Sequence, residues 1–249
     1  MFDMSRYFTT IVIFVLIYPI LMHSSDDLRA NPEVYIGKDR KTQIATGKNY
    51  MVVTSDPMAT QAAYDVLSKN GTAADAAIAA QLVLGLTEPQ SSGLGGGAFA
   101  LYYDAAKKSL ITIDGRETAP ISVMGDYFIK DSGEPMSFYE AVLDGRSIGI
   151  PGTPALLGAL HEKYGTISLK KLIVPAYNLA QYGFLPSEGL SKALKSDIGK
   201  LDINPTSRKY FYENNILINH KYASVLQEFA KSGYEIFYNK SVSTNIIKA

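Results

Sequence analysis

The amino-acid sequence predicts an α/β (α+β) layered fold, on three observations. Segments bounded by helix start and stop signals alternate with short strand-like segments. One helical segment, "TAADAAIAAQLVLGL", carries six alanines between Ala73 and Ala80, so neighbouring elements can sit close to its axis. Two alternating segments, "AFALYYD" and "SLITID", are separated only by "AAKK" and so form a hairpin.

Taken in order, the chain after Ser25 is first polar and irregular, and "YMVVTS" (50–55) is a strand candidate. Ser55 or Asp56 caps a helix with Pro57 at its first position, which runs to about Lys69 and stops at Asn70-Gly71. Thr72 caps the next helix, with Asp75 three residues on, close to a capping box; Glu88-Pro89 ends it. A glycine-rich run and the hairpin follow, and Gly115-Arg116-Glu117 leaves the second strand. "RSIGIPG" (146–152) is predicted as a further short strand, and Thr153-Pro154 as the start of a helix ending near Tyr164-Gly165. "SLKKLIVPAYNLAQYGF" has apolar residues at helical spacing and is predicted as one helix, bent at Pro175. "KYASVLQEFAKSGYEIFYN" reads as a helix and turn, and "VSTNIIKA" as the beginning of another helix.

Composition narrows the function. The 249 residues are 47% hydrophobic and 19% charged, with equal numbers of acidic and basic residues. With no basic run, nucleic acid is not an expected partner. There is no cysteine, so disulfides and thiolate chemistry are excluded. His23, His161 and His220 stand far apart without metal-ligand spacing, and neither a metal nor a cofactor is expected. Arg6 followed by an apolar run from about Phe8 to Met22 predicts a secretory signal peptide, residues 1–25, with an uncleaved anchor as the alternative. Either places the mature chain outside the cytoplasm, in a periplasmic or extracellular setting.

The run "SSGLGGGAF" contains Gly93, Gly95 and Ala98 in the loose pattern G-x-G-x-x-A. That pattern binds a pyrophosphate only between a strand and a helix. Here the order is helix, glycines, strand, and no lysine follows. The glycines are therefore predicted to allow a sharp turn of the chain, or the close approach of another backbone or a ligand. By its position alone, Arg116 is a surface arginine or a partner of Asp114 or Glu117, or else a side chain projecting into a cleft beyond the strand end.

Several stretches together resemble the gamma-glutamyltransferase family, also called glutathione hydrolases. They are "VVTSDPMATQAAYDVLSKNGTAADAAIAAQLVLGLTEPQSSGLGGGAFALYYD", "IDGRETAP", "GIPGTPALLGALHEKYGTISLKKLIVPAYNLAQYGF" and "FAKSGYEIFYN". The resemblance implies an N-terminal-nucleophile hydrolase fold, an αββα sandwich incomplete in this chain, with residues 26–249 matching the N-terminal portion of a large subunit. It implies a self-cleaving precursor whose small chain begins with a threonine that attacks a γ-glutamyl amide. It implies that the glycine-rich run enters a core strand, its glycines admitting a tight approach of helix and strand. It also implies that Arg116 binds the α-carboxylate of the γ-glutamyl substrate, glutathione being the type case. No threonine here stands in the family's Thr-Thr-His context; "FTTIV" lies in the leader. The resemblance therefore puts no catalytic nucleophile in this chain and calls for a second chain carrying it. The family's glycine after "FY" and one residue is Lys240 here. Three readings stay open: an enzyme component, an inactive relic, and part of a related poly-γ-glutamate or capsule transpeptidase.

Overall fold

A computed structural model describes residues 44–201, 204–239 and 241–248; the leader-like segment lies outside the described residues. Helix α1 (Pro57–Ser68) begins at Asp56, whose carboxylate accepts the N–H groups of Met58 and Ala59. Pro57 sits where its missing N–H costs nothing. The helix is closed by Asn70 at φ 63°, a left-handed position that asparagine tolerates. The expected strand over 50–55 is not formed. No neighbouring strand pairs with it among the described residues, and Thr54 instead bonds the start of α1 through the Asp56 carbonyl and Thr60.

Helix α2 (Ala73–Thr87) is the central element, packed against α1 and against three helices that come later in the chain. Ala74, Ala76, Ala79 and Ala80 are all buried, together with Ile78, Leu82, Val83 and Leu86. The small side chains let several helices reach one axis. Its start is a complete capping box: Thr72 Oγ1 accepts the Asp75 N–H, and Asp75 accepts the Thr72 N–H. The Asp75 carboxylate, fully buried, also accepts from the Thr166 N–H, the Thr166 hydroxyl and the Ile167 N–H. Burial works against its charged form, but these donors outweigh burial and hold its pKa below the ordinary aspartate value.

Strands β1 (Ala98–Asp104) and β2 (Ser109–Gly115) form the predicted antiparallel hairpin, in register from Ala98 opposite Gly115 to Asp104 opposite Ser109. One face rests on the core through Ala98, Ala100, Tyr102 and Ile113. The other face carries Phe99, Leu101, Tyr103 and Leu110, each at least 61% exposed, so this side of the sheet is an uncovered apolar surface.

A long excursion with one short helix, α3 (Phe138–Leu143), leads to α4 (Thr153–Tyr164). The predicted strand over 146–152 is instead a 3₁₀ turn, Gly145–Ser147, and a single antiparallel bridge from Ile150 to Thr118. The predicted single helix over 168–184 is two, α5 (Leu169–Leu172) and α6 (Val174–Tyr182). Pro175 does not bend a continuous helix. It lies in the first turn of α6, where a proline is accommodated without losing a hydrogen bond. Helices α4, α5 and α6 are the later partners of α2.

Five helices complete the described chain: α7 (Glu188–Leu201), α8 (Pro205–Tyr212), α9 (His220–Ser232), α10 (Ile236–Asn239) and α11 (Ser241–Lys248). Helix α9 buries Ala223, Leu226 and Phe229 against α5 and α6. Tyr222 reaches α2, where its hydroxyl donates to the Leu82 carbonyl at 3.0 Å. Gly85 makes room for it: a Cβ there would lie 2.8 Å from the Tyr222 oxygen.

Candidate functional site

Three segments converge at the open end of the hairpin: the glycine-rich run, the exit of β2, and the turn before α4. The exit is tightened by Asp114, whose carboxylate accepts the Arg116 N–H at 2.9 Å. Gly115 is buried against α4, and a Cβ on it would meet the Leu156 Cβ at 2.7 Å. Gly152 faces the same backbone from the other side. A Cβ on Gly152 would lie 2.7 Å from the Arg116 carbonyl oxygen and closer still to that of Gly115. Only glycine permits this approach. The next residues are pinned by the bridge, with Ile150 N–H to Thr118 carbonyl at 2.9 Å and Thr118 N–H to Ile150 carbonyl at 3.3 Å.

The glycine-rich run closes the arrangement. The Gly96 carbonyl accepts the N–H groups of both Gly152 and Thr153, each at 3.0 Å. Gly97 lies against Arg116 and Glu117: a Cβ there would be 2.9 Å from the Arg116 Cα and 2.8 Å from the Glu117 carboxyl carbon. The Glu117 side chain also passes Gly149. Gly93 and Gly95 face open space. The tight approach of helix and strand expected of this run is made at Gly96 and Gly97, against the start of α4 and the exit of β2, and is shared by Gly115 and Gly152, which lie outside the run. The signal for the missed half was two glycines bracketing a proline, Gly149-Ile-Pro-Gly152, in a segment predicted as a strand.

Arg116 is thus held by its backbone and exposed by its side chain. Neither Asp114 nor Glu117 forms an ion pair with it. A guanidinium presented from a fixed backbone is a planar, two-pronged donor for a carboxylate. A phosphate-binding role for the glycines has no support here, because the run leads into strand β1 and the first amides of α4 are already bonded to Gly96 and, at Ala155, to the Tyr238 hydroxyl. A cavity of about 1010 Å³ lies between α8 and α9, lined by Tyr210, Phe211, Ile216, Ile218 and Tyr222 among others. None of the three converging segments lines it.

The backbone arrangement makes a direct prediction. Gly152→Ala places a methyl group against two backbone carbonyls that cannot move independently of β2. The expected loss is about 1–3 kcal/mol of stability, read as a lowered denaturation midpoint with an unchanged slope. An unaltered midpoint would show that α4 and β2 are not held in contact.

The family model described as gamma-glutamyltranspeptidase matches residues 59–249. The glutathione hydrolase proenzyme of Bacillus subtilis (strain 168) is 36% identical over 206 residues, covering 80% of this chain and 35% of the relative. The crystal structure of Helicobacter pylori gamma-glutamyltranspeptidase superposes with a TM-score of 0.77 at 28% identity, covering 83% of this chain and 61% of that one. The Bacillus anthracis transpeptidase CapD superposes with a TM-score of 0.65 at 30% identity, covering 82% and 65%. The fold is accordingly that of an N-terminal-nucleophile hydrolase, of which this chain forms one part. It spans about a third of the length of the curated relatives it matches. With a family model that matches residues 59–249, most of its length, the chain belongs to the gamma-glutamyltranspeptidase family.

Proposed function

We propose that this chain is the front part of an enzyme that cleaves or transfers the γ-glutamyl group of glutathione and related amides, and that Arg116 binds the donor's α-carboxylate. The observation that carries the reading is the exposed Arg116 guanidinium on a backbone fixed by Asp114 and Gly152. The reacting amide lies at the far end of the glutamate side chain, so the carboxylate must be held for the carbonyl to be placed. The attacking group would be an N-terminal threonine whose own α-amine takes the hydroxyl proton. The threonine oxygen forms an ester with the γ-carbonyl, the amine leaves with a proton, and water or a second amine then resolves the ester. Residues 1–249 contain no threonine in the expected context, so that group would come from further sequence. The uncovered hairpin face at Phe99, Leu101, Tyr103 and Leu110 supports a missing layer over this side of the sheet. The likeness to CapD, 32% identical over 206 residues, supports a capsule-type acceptor as a second reading of the same chemistry.

Residues 26–249 assayed alone are expected to show no turnover of a γ-glutamyl anilide and no self-cleavage. The same chain joined to a family segment bearing the threonine is expected to release aniline. Turnover by the purified chain alone would refute the missing nucleophile. Failure of the joined, folded protein would favour an inactive relic.

Export is part of the same reading, motivated by Arg6 and the apolar run after it. Among the described residues no helix is long and apolar enough to cross a membrane. N-terminal sequencing of protein recovered from cells should begin near Ser25. An intact Met1 in a cytoplasmic pool would contradict export.

A further inference from the structure

We propose that Tyr238 is a positioning residue for Arg116, acting through the turn before α4; the inference rests on the reading of Arg116 given above. The Tyr238 hydroxyl donates to the Pro151 carbonyl at 2.6 Å and accepts the Ala155 N–H at 3.3 Å. It therefore ties together the two ends of residues 151–155. Four residues earlier, in the turn before α10, the Tyr234 ring fills the space beside Gly158 of α4, where a Cβ would lie 2.7 Å from its Cε1. Both tyrosines are anchored by the buried Ile236 and Phe237 between them.

This turn has few ways to hold itself. Pro151 and Pro154 have no N–H, which leaves three donors at Gly152, Thr153 and Ala155. The first two go to the Gly96 carbonyl, and the third goes to the Tyr238 hydroxyl. The turn is thus gripped between the glycine-rich run and Tyr238. Gly152, in the middle of that grip, is the residue on which the Gly115 and Arg116 carbonyls rest. Removing the Tyr238 hydroxyl leaves the Ala155 N–H and the Pro151 carbonyl without these partners. The turn then loosens, and the backbone that aims Arg116 loosens with it.

The test compares Tyr238→Phe with the parent protein. Phenylalanine keeps the ring packing and removes only the oxygen, so the fold is retained. Hydrogen exchange on the 249-residue chain should quicken about ten-fold at Gly152, Thr153 and Ala155, with protection in α2 unchanged. In the threonine-bearing protein, the Michaelis constant for a γ-glutamyl donor should rise about five-fold with the turnover number little changed. An analogue lacking the α-carboxylate should be unaffected, and Tyr238→Phe should add nothing in an Arg116→Met background. Unchanged exchange at Gly152 and Thr153 would overturn the inference. So would equal losses on donor and analogue, which mark a residue that holds only the fold. If Arg116→Met is donor-specific and Tyr238→Phe is not, this inference alone fails. If Arg116→Met is not donor-specific, the reading beneath it fails.

Discussion

Arg116→Met is expected to raise the Michaelis constant for γ-glutamyl donors by about thirty-fold to several-thousand-fold in the threonine-bearing protein. The range corresponds to about 2–5 kcal/mol for truncating one partner of a desolvated, hydrogen-bonded charge pair. In the structure Arg116 is exposed, so the upper end requires that the bound donor and its surroundings exclude water from the pair. Arg116→Lys should recover only part of the loss, because an ammonium keeps the charge but not the two parallel N–H donors. Glu117→Gln should do much less. The Glu117 side chain lies in the space left by Gly97 and Gly149, and an amide of the same shape fits there. Steady-state kinetics on the three variants distinguish these outcomes. A Lys variant as poor as Met would point to geometry alone, and a Glu117→Gln variant as poor as Arg116→Met would move the carboxylate site to another residue.

Asp75→Ala is expected to lower the stability of the folded chain by about 2–4 kcal/mol, since it strips acceptors from buried donors at both ends of one carboxylate. At one end the Thr72 N–H loses its reciprocal cap; at the other the Thr166 and Ile167 N–H groups lose their acceptor. Asp75→Asn should recover little, because its amide nitrogen would face donors on one side. The pH dependence has a definite sign. The folded pKa lies below the unfolded value, so the stabilisation is complete above about pH 4 and is lost as pH falls through the lowered folded value. In denaturant melts the stability gap between parent and Asp75→Ala should be widest at pH 7 and should narrow as the pH is taken below the ordinary aspartate value. A gap that stays constant across that range would show that the carboxylate charge contributes nothing.

What the sequence disclosed and what it concealed divide by range. The Thr72–Asp75 capping box is a three-residue spacing and was legible. The other half of the Asp75 network comes from Thr166, 91 residues on, and leaves no local trace. The hairpin and the position of Arg116 just past its second strand were legible because alternation and a four-residue turn are local signals. The contact that fixes Arg116 was not, because Gly152 and Gly115 are distant in sequence and meet only through the packing of α4 on β2. "YMVVTS" has the composition of a strand, but a strand needs a partner, and among the described residues none pairs with it. Pro175 was placed in the right segment and misjudged by one turn, since a proline in the first turn of a new helix and one in the middle of a long helix look alike in a single sequence. The family resemblance was readable because it rests on contiguous stretches, and the superposition on known members agrees with it.

The most direct test uses two donors and one variant. The threonine-bearing parent and its Arg116→Met variant are assayed with a γ-glutamyl anilide and with its analogue lacking the α-carboxylate. The parent should prefer the carboxylated donor strongly, and Arg116→Met should lose that preference while its kcat/KM on the analogue stays close to that of the parent. Loss by the same factor on both substrates would contradict the account, and would make Arg116 part of the scaffold rather than the group that recognises the substrate.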